Sequence, residues 1–279
     1  MLITGGASGI GYALGLRLVR AGARVALADI DHQAVLDRAE ELNRAVGKQV
    51  AVGHHLDVRD EVAFRRVVDA VWEDGPLDLL FNNAGIVMGG PTEELTSAHW
   101  DRIIDVNVKG VVNGVLAAYP LMIRRGGGHI VNTASGAGLV AAPFIAAYAA
   151  TKHAVVGLST ALRPEAARHG VSVSVLCPGS VDTPILDRLP DADLPERKSP
   201  AATGRDYARV LGFTPGDADA FARRALRAVA KDRGIIVEPP STRALWYLWR
   251  LSPALVERIT RRLADKIGKE LLDAPTESR

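Results

Sequence analysis

A chain of 279 residues with 48% hydrophobic and 24% charged side chains sits in the globular range, which excludes a disordered or fibrous protein and supplies material for a sizeable core. A net charge of +2 gives no reason to expect nucleic acid as a partner, and the lone cysteine, Cys177, excludes an internal disulfide framework and fits a reducing, cytoplasmic setting. The start at Met1 shows no basic segment followed by an apolar stretch, as a secretory signal would, and no run of about 18 uncharged apolar residues suggests a spanning helix.

Taken in chain order, short β-branched runs alternate with helix-length amphipathic stretches. Strands are predicted at residues 2–4, 24–28, 49–54, 77–82, 129–132, 171–176 and 234–237, and helices at 11–20, 33–46, 61–72, 100–123 and 149–168. Such alternation predicts an α/β fold, a Rossmann-like doubly wound, seven-stranded parallel sheet with helices on both faces. Residues 182–220 break the rhythm with Pro184, Pro190, Pro195, Pro200 and Pro215, which reads as a long excursion of the kind that covers a binding site. After Pro239 and Pro240 the pattern changes again, so the division expected is a main domain over 1–240 and a C-terminal helical extension over 241–279.

The first strand runs directly into Thr4-Gly5-Gly6-Ala7-Ser8-Gly9-Ile10-Gly11. Strand, glycine turn and helix start, in that order, bring bare backbone and the positive end of a helix together, an arrangement that suits a pyrophosphate. A tight structural turn is the plainer alternative. The second strand ends at Asp29, whose carboxylate could accept the adenosine ribose hydroxyls and would repel a 2′-phosphate. Neither Ala7 nor Ile30 adds a cation, so the pattern favours NAD over NADP. Asp29 could instead cap the next helix.

Tyr148 and Lys152 are four residues apart in a stretch that favours helix, so both side chains should leave the same face. An ammonium beside a phenol favours the phenolate and should lower its pKa from about 10. Alone, this pair is common as surface decoration. It gains meaning beside Asn82-Asn83-Ala84-Gly85, Asn107 and Ser135. With these residues in order and at these spacings over residues 1 to about 185, the chain resembles the short-chain dehydrogenase/reductase family.

The resemblance implies a dinucleotide-binding oxidoreductase in which Ser135 binds the substrate oxygen, Tyr148 exchanges its proton, Lys152 binds the nicotinamide ribose and Asn107 holds a relay water. It further implies cofactor contacts from Gly5, Ser8, Gly9, Ile10, Gly11, Asp29, Ile30, Asp57, Val58, Asn83, Ala84, Gly85, Tyr148, Lys152, Pro178, Gly179, Val181 and Thr183. Asp57 could equally cap the helix before Glu61, and Pro178-Gly179 could be only a turn. His54 and His55 point to opposite faces of a strand, and no metal is expected. The competing readings are an NADP-dependent carbonyl reductase and a nucleotide-sensing protein without turnover.

Three departures from the family pattern matter. Only three residues precede Thr4, leaving a short first strand. Thr133-Ala134-Ser135 replaces the double serine often seen in the family, but the position thirteen residues before Tyr148 keeps its hydroxyl. Pro164 lies inside the helix of Tyr148 and should kink or end it. The run from Gly136 to Ala142 is small and apolar, which favours a hydrophobic alcohol or ketone as substrate. In the tail, Leu251, Leu255, Ile259, Leu263, Ile267 and Leu271 recur every four residues beside Arg258, Arg261, Arg262, Lys266 and Lys269. This basic amphipathic helix could dock on its own domain, on a sister subunit of a homodimer or homotetramer, or on an anionic membrane.

Overall fold

The computed structural model describes residues 1–188, 193–199 and 202–272. Its strands are β1 Leu2–Thr4, β2 Val25–Asp29, β3 Ala51–His55, β4 Leu79–Asn82, β5 Gly128–Thr133, β6 Val171–Pro178 and β7 Ile235–Glu238. All neighbours run parallel, in the order β3-β2-β1-β4-β5-β6-β7. The chain winds outward from β1 through β2 and β3, then crosses to β4 on the other side of β1. That reversal opens a crevice at the carboxyl ends of β1 and β4, where open α/β sheets bind ligands.

Alternate side chains of each strand go to opposite faces. Leu2, Ala26, Leu80, Ile130 and Val173 meet α3 (Glu61–Glu73), α5 (Gly110–Arg125) and α6 (Ala146–Ala167) through Phe64, Val68, Val115, Met122, Leu162 and Ala166. On the other face Ile3, Leu27, Phe81, Val131 and Leu176 meet α1 (Gly9–Arg20), α2 (His32–Val46) and α8 (Ala218–Val229) through Leu14, Val35, Leu42, Phe221 and Val229. The short β1 is central, fully buried, and paired on both sides.

Four sequence expectations need revision. The helix expected over 100–123 is two, α4 (Ser97–Ile104) and α5, joined by one wide π turn at Asp105–Lys109. A distant contact of Asn107, described below, holds that turn, and no local signal encodes it. Within 97–125 an 18-residue window is apolar enough, and the stretch long enough, to cross a membrane; α5 instead packs into the core against the sheet, beside α3. Pro164 does not end α6, which continues to Ala167. Proline removes one donor, and burial of Leu162 and Ala166 on either side holds the helix against the sheet.

The excursion is also less irregular than its prolines suggested. It contains a 3₁₀ turn at Pro184–Leu186, α7 (Gly204–Val210) and the first residues of α8; Pro190 and Pro200 lie outside the described residues. The extension comprises α9 (Pro240–Leu251) and α10 (Pro253–Ile267), each with proline in its first turn, where an N–H is unused. Its apolar stripe divides: Ile267 and Leu271 are buried, whereas Leu251, Leu255 and Ile259 are exposed at 84%, 43% and 37%.

Candidate active site

The glycine turn between β1 and α1 is built so that no side chain intrudes. Gly5 and Gly9 take φ of 63° and 51°, the left-handed region that glycine enters without cost. A Cβ on Gly11 would drive into the Gly5 carbonyl oxygen and approach Asn83 Nδ2 at 2.8 Å. Thr4 knits this turn to the segment after β4, because its Oγ1 accepts the N–H groups of Asn83 (3.0 Å) and Ala84 (3.1 Å). Asn83 Nδ2 in turn donates to the Thr4 carbonyl at 3.1 Å. Val181 and Thr183 close the far side, the Thr183 methyl lying 2.9 Å from where a Gly9 Cβ would be. The result is a bare, positive-ended cradle that fits a pyrophosphate.

At the end of β2, Asp29 accepts N–H groups from Ala7 (3.0 Å) and Asp31 (3.2 Å). Helix capping falls to its neighbour: Asp31 accepts the Ala34 N–H and caps α2. The same division recurs after β3, where Asp60 caps α3 while Asp57 accepts from the Arg59 guanidinium, which holds its carboxyl below the usual carboxylate range. Both capping alternatives left open by the sequence are therefore settled against Asp29 and Asp57. Ile30 is 55% exposed at the mouth, whereas Val58 is buried against Gly110. Sequence reasoning missed Arg38, which reaches this corner from α2. Its Nε donates to the Ala7 carbonyl at 3.3 Å while its other arm pairs with Glu41 at 2.5 Å.

The residues predicted to handle the proton lie across the crevice. Tyr148 and Lys152 leave one face of α6, with Lys152 Nζ 5.6 Å from the Tyr148 ring centre and donating to the Thr133 carbonyl at 3.0 Å. Burial pulls the Lys152 ammonium down to about 8. The same burial pushes the Tyr148 phenol up, opposed by its hydrogen bond with Ser135. Burial, rather than the lysine, therefore sets the direction of the phenol's shift, opposite to the depression that the spacing suggested. Ser135 stands at the end of the β5 loop and also accepts the Ala137 N–H at 3.1 Å.

Asn107, fully buried in the π turn, accepts the Ile86 N–H and donates to the Ile86 carbonyl, both at 2.9 Å. It donates as well to Thr151 Oγ1 at 3.1 Å, and Thr151 donates to the Tyr148 carbonyl at 2.7 Å. Thr151 and Thr133 are therefore supporting residues that no sequence signal singled out. At Gly85 the pieces meet: a Cβ there would sit 3.2 Å from Asn107 Oδ1 and 3.3 Å from Lys152 Nζ. Cys177 is buried beside Lys152 with its thiol pushed up to about 12, which makes it packing rather than a nucleophile. Gly136 and Gly179 pack against Thr242 from the first turn of α9, so the extension touches the site.

Comparison with known proteins agrees with this geometry. The short chain dehydrogenase family model matches residues 1–193. Cyclohexanol dehydrogenase of an Acinetobacter species is 35% identical over 223 residues, spanning 79% of this chain and 88% of that one. Among solved structures, a short chain dehydrogenase/reductase from Burkholderia phymatum in complex with NAD superposes with a TM-score of 0.81 at 34% identity, covering 91% of this chain and 93% of that one. One from Sphingobium yanoikuyae in complex with NADPH gives 0.74 at 25% identity, covering 93% and 94%. The chain belongs to the short-chain dehydrogenase/reductase family, and its fold and glycine cradle are those of an oxidoreductase that uses a nicotinamide dinucleotide.

Proposed function

We propose that the protein is an NAD-dependent dehydrogenase that interconverts a hydrophobic secondary alcohol and its ketone. The observation that carries this reading is the convergence of Ser135, Tyr148 and Lys152 opposite the glycine cradle, with Gly85 leaving the space between them open. Asp29 supports NAD: it is released from capping, fixed by two backbone N–H groups, and placed to accept ribose hydroxyls while repelling a 2′-phosphate. Arg38 does not reverse this, because its charge is already shared with Glu41.

When bound, the nicotinamide supplies the hydride acceptor or donor. The chain's own residues do the rest. Ser135 and Tyr148 hold the substrate oxygen, and Tyr148 removes or returns its proton. Lys152 is held by the Thr133 carbonyl with further donors for the ribose hydroxyls, and the Asn107–Thr151 pair fixes the turn of α6 that bears Tyr148. The apolar surroundings of Tyr148, Met88 and Leu194 favour a hydrophobic substrate, a class that includes the cyclic alcohol named for the Acinetobacter relative.

The test is a panel of cyclic and acyclic secondary alcohols with NAD or NADP, read as reduced nicotinamide absorbance. Turnover is expected with NAD at least about a hundredfold more efficiently than with NADP, the discrimination of a like-charge clash worth about 2.7 kcal/mol. Preference for NADP would overturn the cofactor assignment. Reduction of neither cofactor by any alcohol, together with no oxidation of the reduced cofactors by the matching ketones, would overturn the enzyme reading.

A second reading concerns location. Tyr247 and Leu251 of α9 and Leu255 and Ile259 of α10 are exposed apolar side chains, and residues 243–269 hold seven Arg or Lys against two acids. Charge complementarity favours an anionic bilayer as the surface these side chains meet. The full chain is expected to sediment with vesicles containing anionic phosphatidylserine and not with neutral ones, and Leu251→Asp/Leu255→Asp should abolish that. Equal recovery in all supernatants would rule the contact out.

A further inference from the structure

Helix α7, in the excursion that follows Thr183, buries Tyr207 and Val210 against Ile267 of α10 and Leu271 of the turn that follows it, with Phe144 packed on the same cluster. Lys266 Nζ donates to the Val210 carbonyl at 2.6 Å, placing a cation on the open carboxyl end of α7. Excursion and tail are therefore joined by both apolar burial and a charged hydrogen bond.

Phe144 links this knot to the reacting end of the site. Its φ is 61°, a conformation that costs an aromatic residue and persists only where the surroundings impose it. Its carbonyl accepts the Gly90 N–H at 2.7 Å, and its ring tip lies 3.9 Å from where a Gly268 Cβ would stand. The residue sits two positions before α6 begins and four before Tyr148. From α7, the Tyr207 ring edge lies 3.4 Å from where a Gly89 Cβ would be, so both sides of the knot press on residues 87–91, whose Met88 packs with Tyr148.

We propose that α10 and the turn after it, Gly268–Leu272, form a clasp that holds the substrate side of the cleft in shape, and that Phe144, Ile267 and Leu271 are positioning residues for the alcohol and not for the cofactor. The proposal rests on the dehydrogenase reading above. No residue of the knot belongs to the glycine cradle, so loosening it should change how the alcohol is held while leaving the nucleotide half intact. The strain at Phe144 gives the clasp its purpose: without the ring anchored by the tail, the backbone before α6 relaxes and the Gly89–Gly90 segment bonded to it goes with it.

The experiment uses the full-length chain carrying Ile267→Ala/Leu271→Ala, Phe144→Gly, or the volume-conserving Ile267→Leu/Leu271→Met. Glycine accepts the backbone angle at 144 and removes only the anchored ring. The first two variants are expected to raise KM for cyclohexanol at least about tenfold with kcat within about threefold, while the NAD dissociation constant, read by fluorescence titration, stays within about twofold. Trypsin should also cut faster after Arg197 or Lys198, and the volume-conserving variant should restore wild-type behaviour in both assays. Cofactor affinity and alcohol KM worsening by the same factor, or unchanged KM and unchanged cleavage, would overturn the clasp. Should the wild type turn over no alcohol, the dehydrogenase reading fails by itself, and the cleavage rates still decide whether the tail holds the excursion.

Discussion

Tyr148→Phe should lower kcat for alcohol oxidation by about a thousandfold or more while leaving NAD affinity within about twofold, a loss in the upper range for removal of one positioned acid–base group. The substitution deletes a single hydroxyl from a ring that keeps its apolar neighbours, and Lys152 keeps its bond to the Thr133 carbonyl. What disappears is the group that exchanges the proton with the substrate oxygen and the hydrogen bond with Ser135. The pH dependence gives the sign. Burial favours the neutral phenol, so oxidation, which needs the phenolate, should accelerate as pH rises toward the phenol's pKa. Ketone reduction, which needs the phenol, should slow over the same range. The variant's residual rate should lose both dependences. A variant that keeps wild-type turnover and the same profile would mean that another group takes the proton.

The lysine makes that profile asymmetric. Its ammonium is pulled down to about 8 by burial, so below that value it carries charge beside Tyr148 and above it the charge is lost. The phenol, pushed up from its ordinary value, therefore ionises only above the range in which its neighbour is charged. Both groups are held away from water, and burial pushes each toward its neutral form. That is why spacing alone suggested a lowered phenol and the folded chain gives a raised one: the four-residue interval fixes direction along a helix, not the loss of water around it.

The same contrast separates what was legible from what was not. Strand positions came through to within two residues because buried parallel strands are continuous β-branched runs bounded by turns. The cradle came through because glycine at 5, 9 and 11 is demanded by backbone geometry encoded over a few residues. Asn107 was legible as a motif, but the π turn that aims it depends on the Ile86 backbone 21 residues away. The pairs Asp29/Asp31 and Asp57/Asp60 show the limit at its narrowest. Either member could cap a helix by composition, and only the observed start of α2 and α3 decides that the later one does. In the tail, the four-residue stripe was visible as one face of a helix, yet Ile267 and Leu271 meet α7 while Leu251, Leu255 and Ile259 meet solvent. Periodicity reports that a face is apolar and says nothing of what covers it.

Gly11→Ala should weaken NAD binding by about a hundredfold or more, equivalent to about 2.7 kcal/mol, with alcohol turnover falling in step. The new methyl group would enter the space of the Gly5 carbonyl oxygen and crowd Asn83 Nδ2. Gly5 cannot easily retreat, because it already sits at φ 63° and a Cβ's width from Ala84. The turn must therefore open, and the N–H groups at the start of α1 lose their common focus. Overpacking of this kind also costs stability, about 1–3 kcal/mol, so binding should be measured by titration well below the melting transition. Gly157→Ala is the matched control. That glycine lies on the exposed face of α6 with nothing within 4 Å of an added Cβ, and alanine there should stabilise the helix by up to about 1 kcal/mol without touching affinity. Loss of binding at 11 alone locates the dinucleotide in the cradle; wild-type affinity in the Gly11 variant would place it elsewhere.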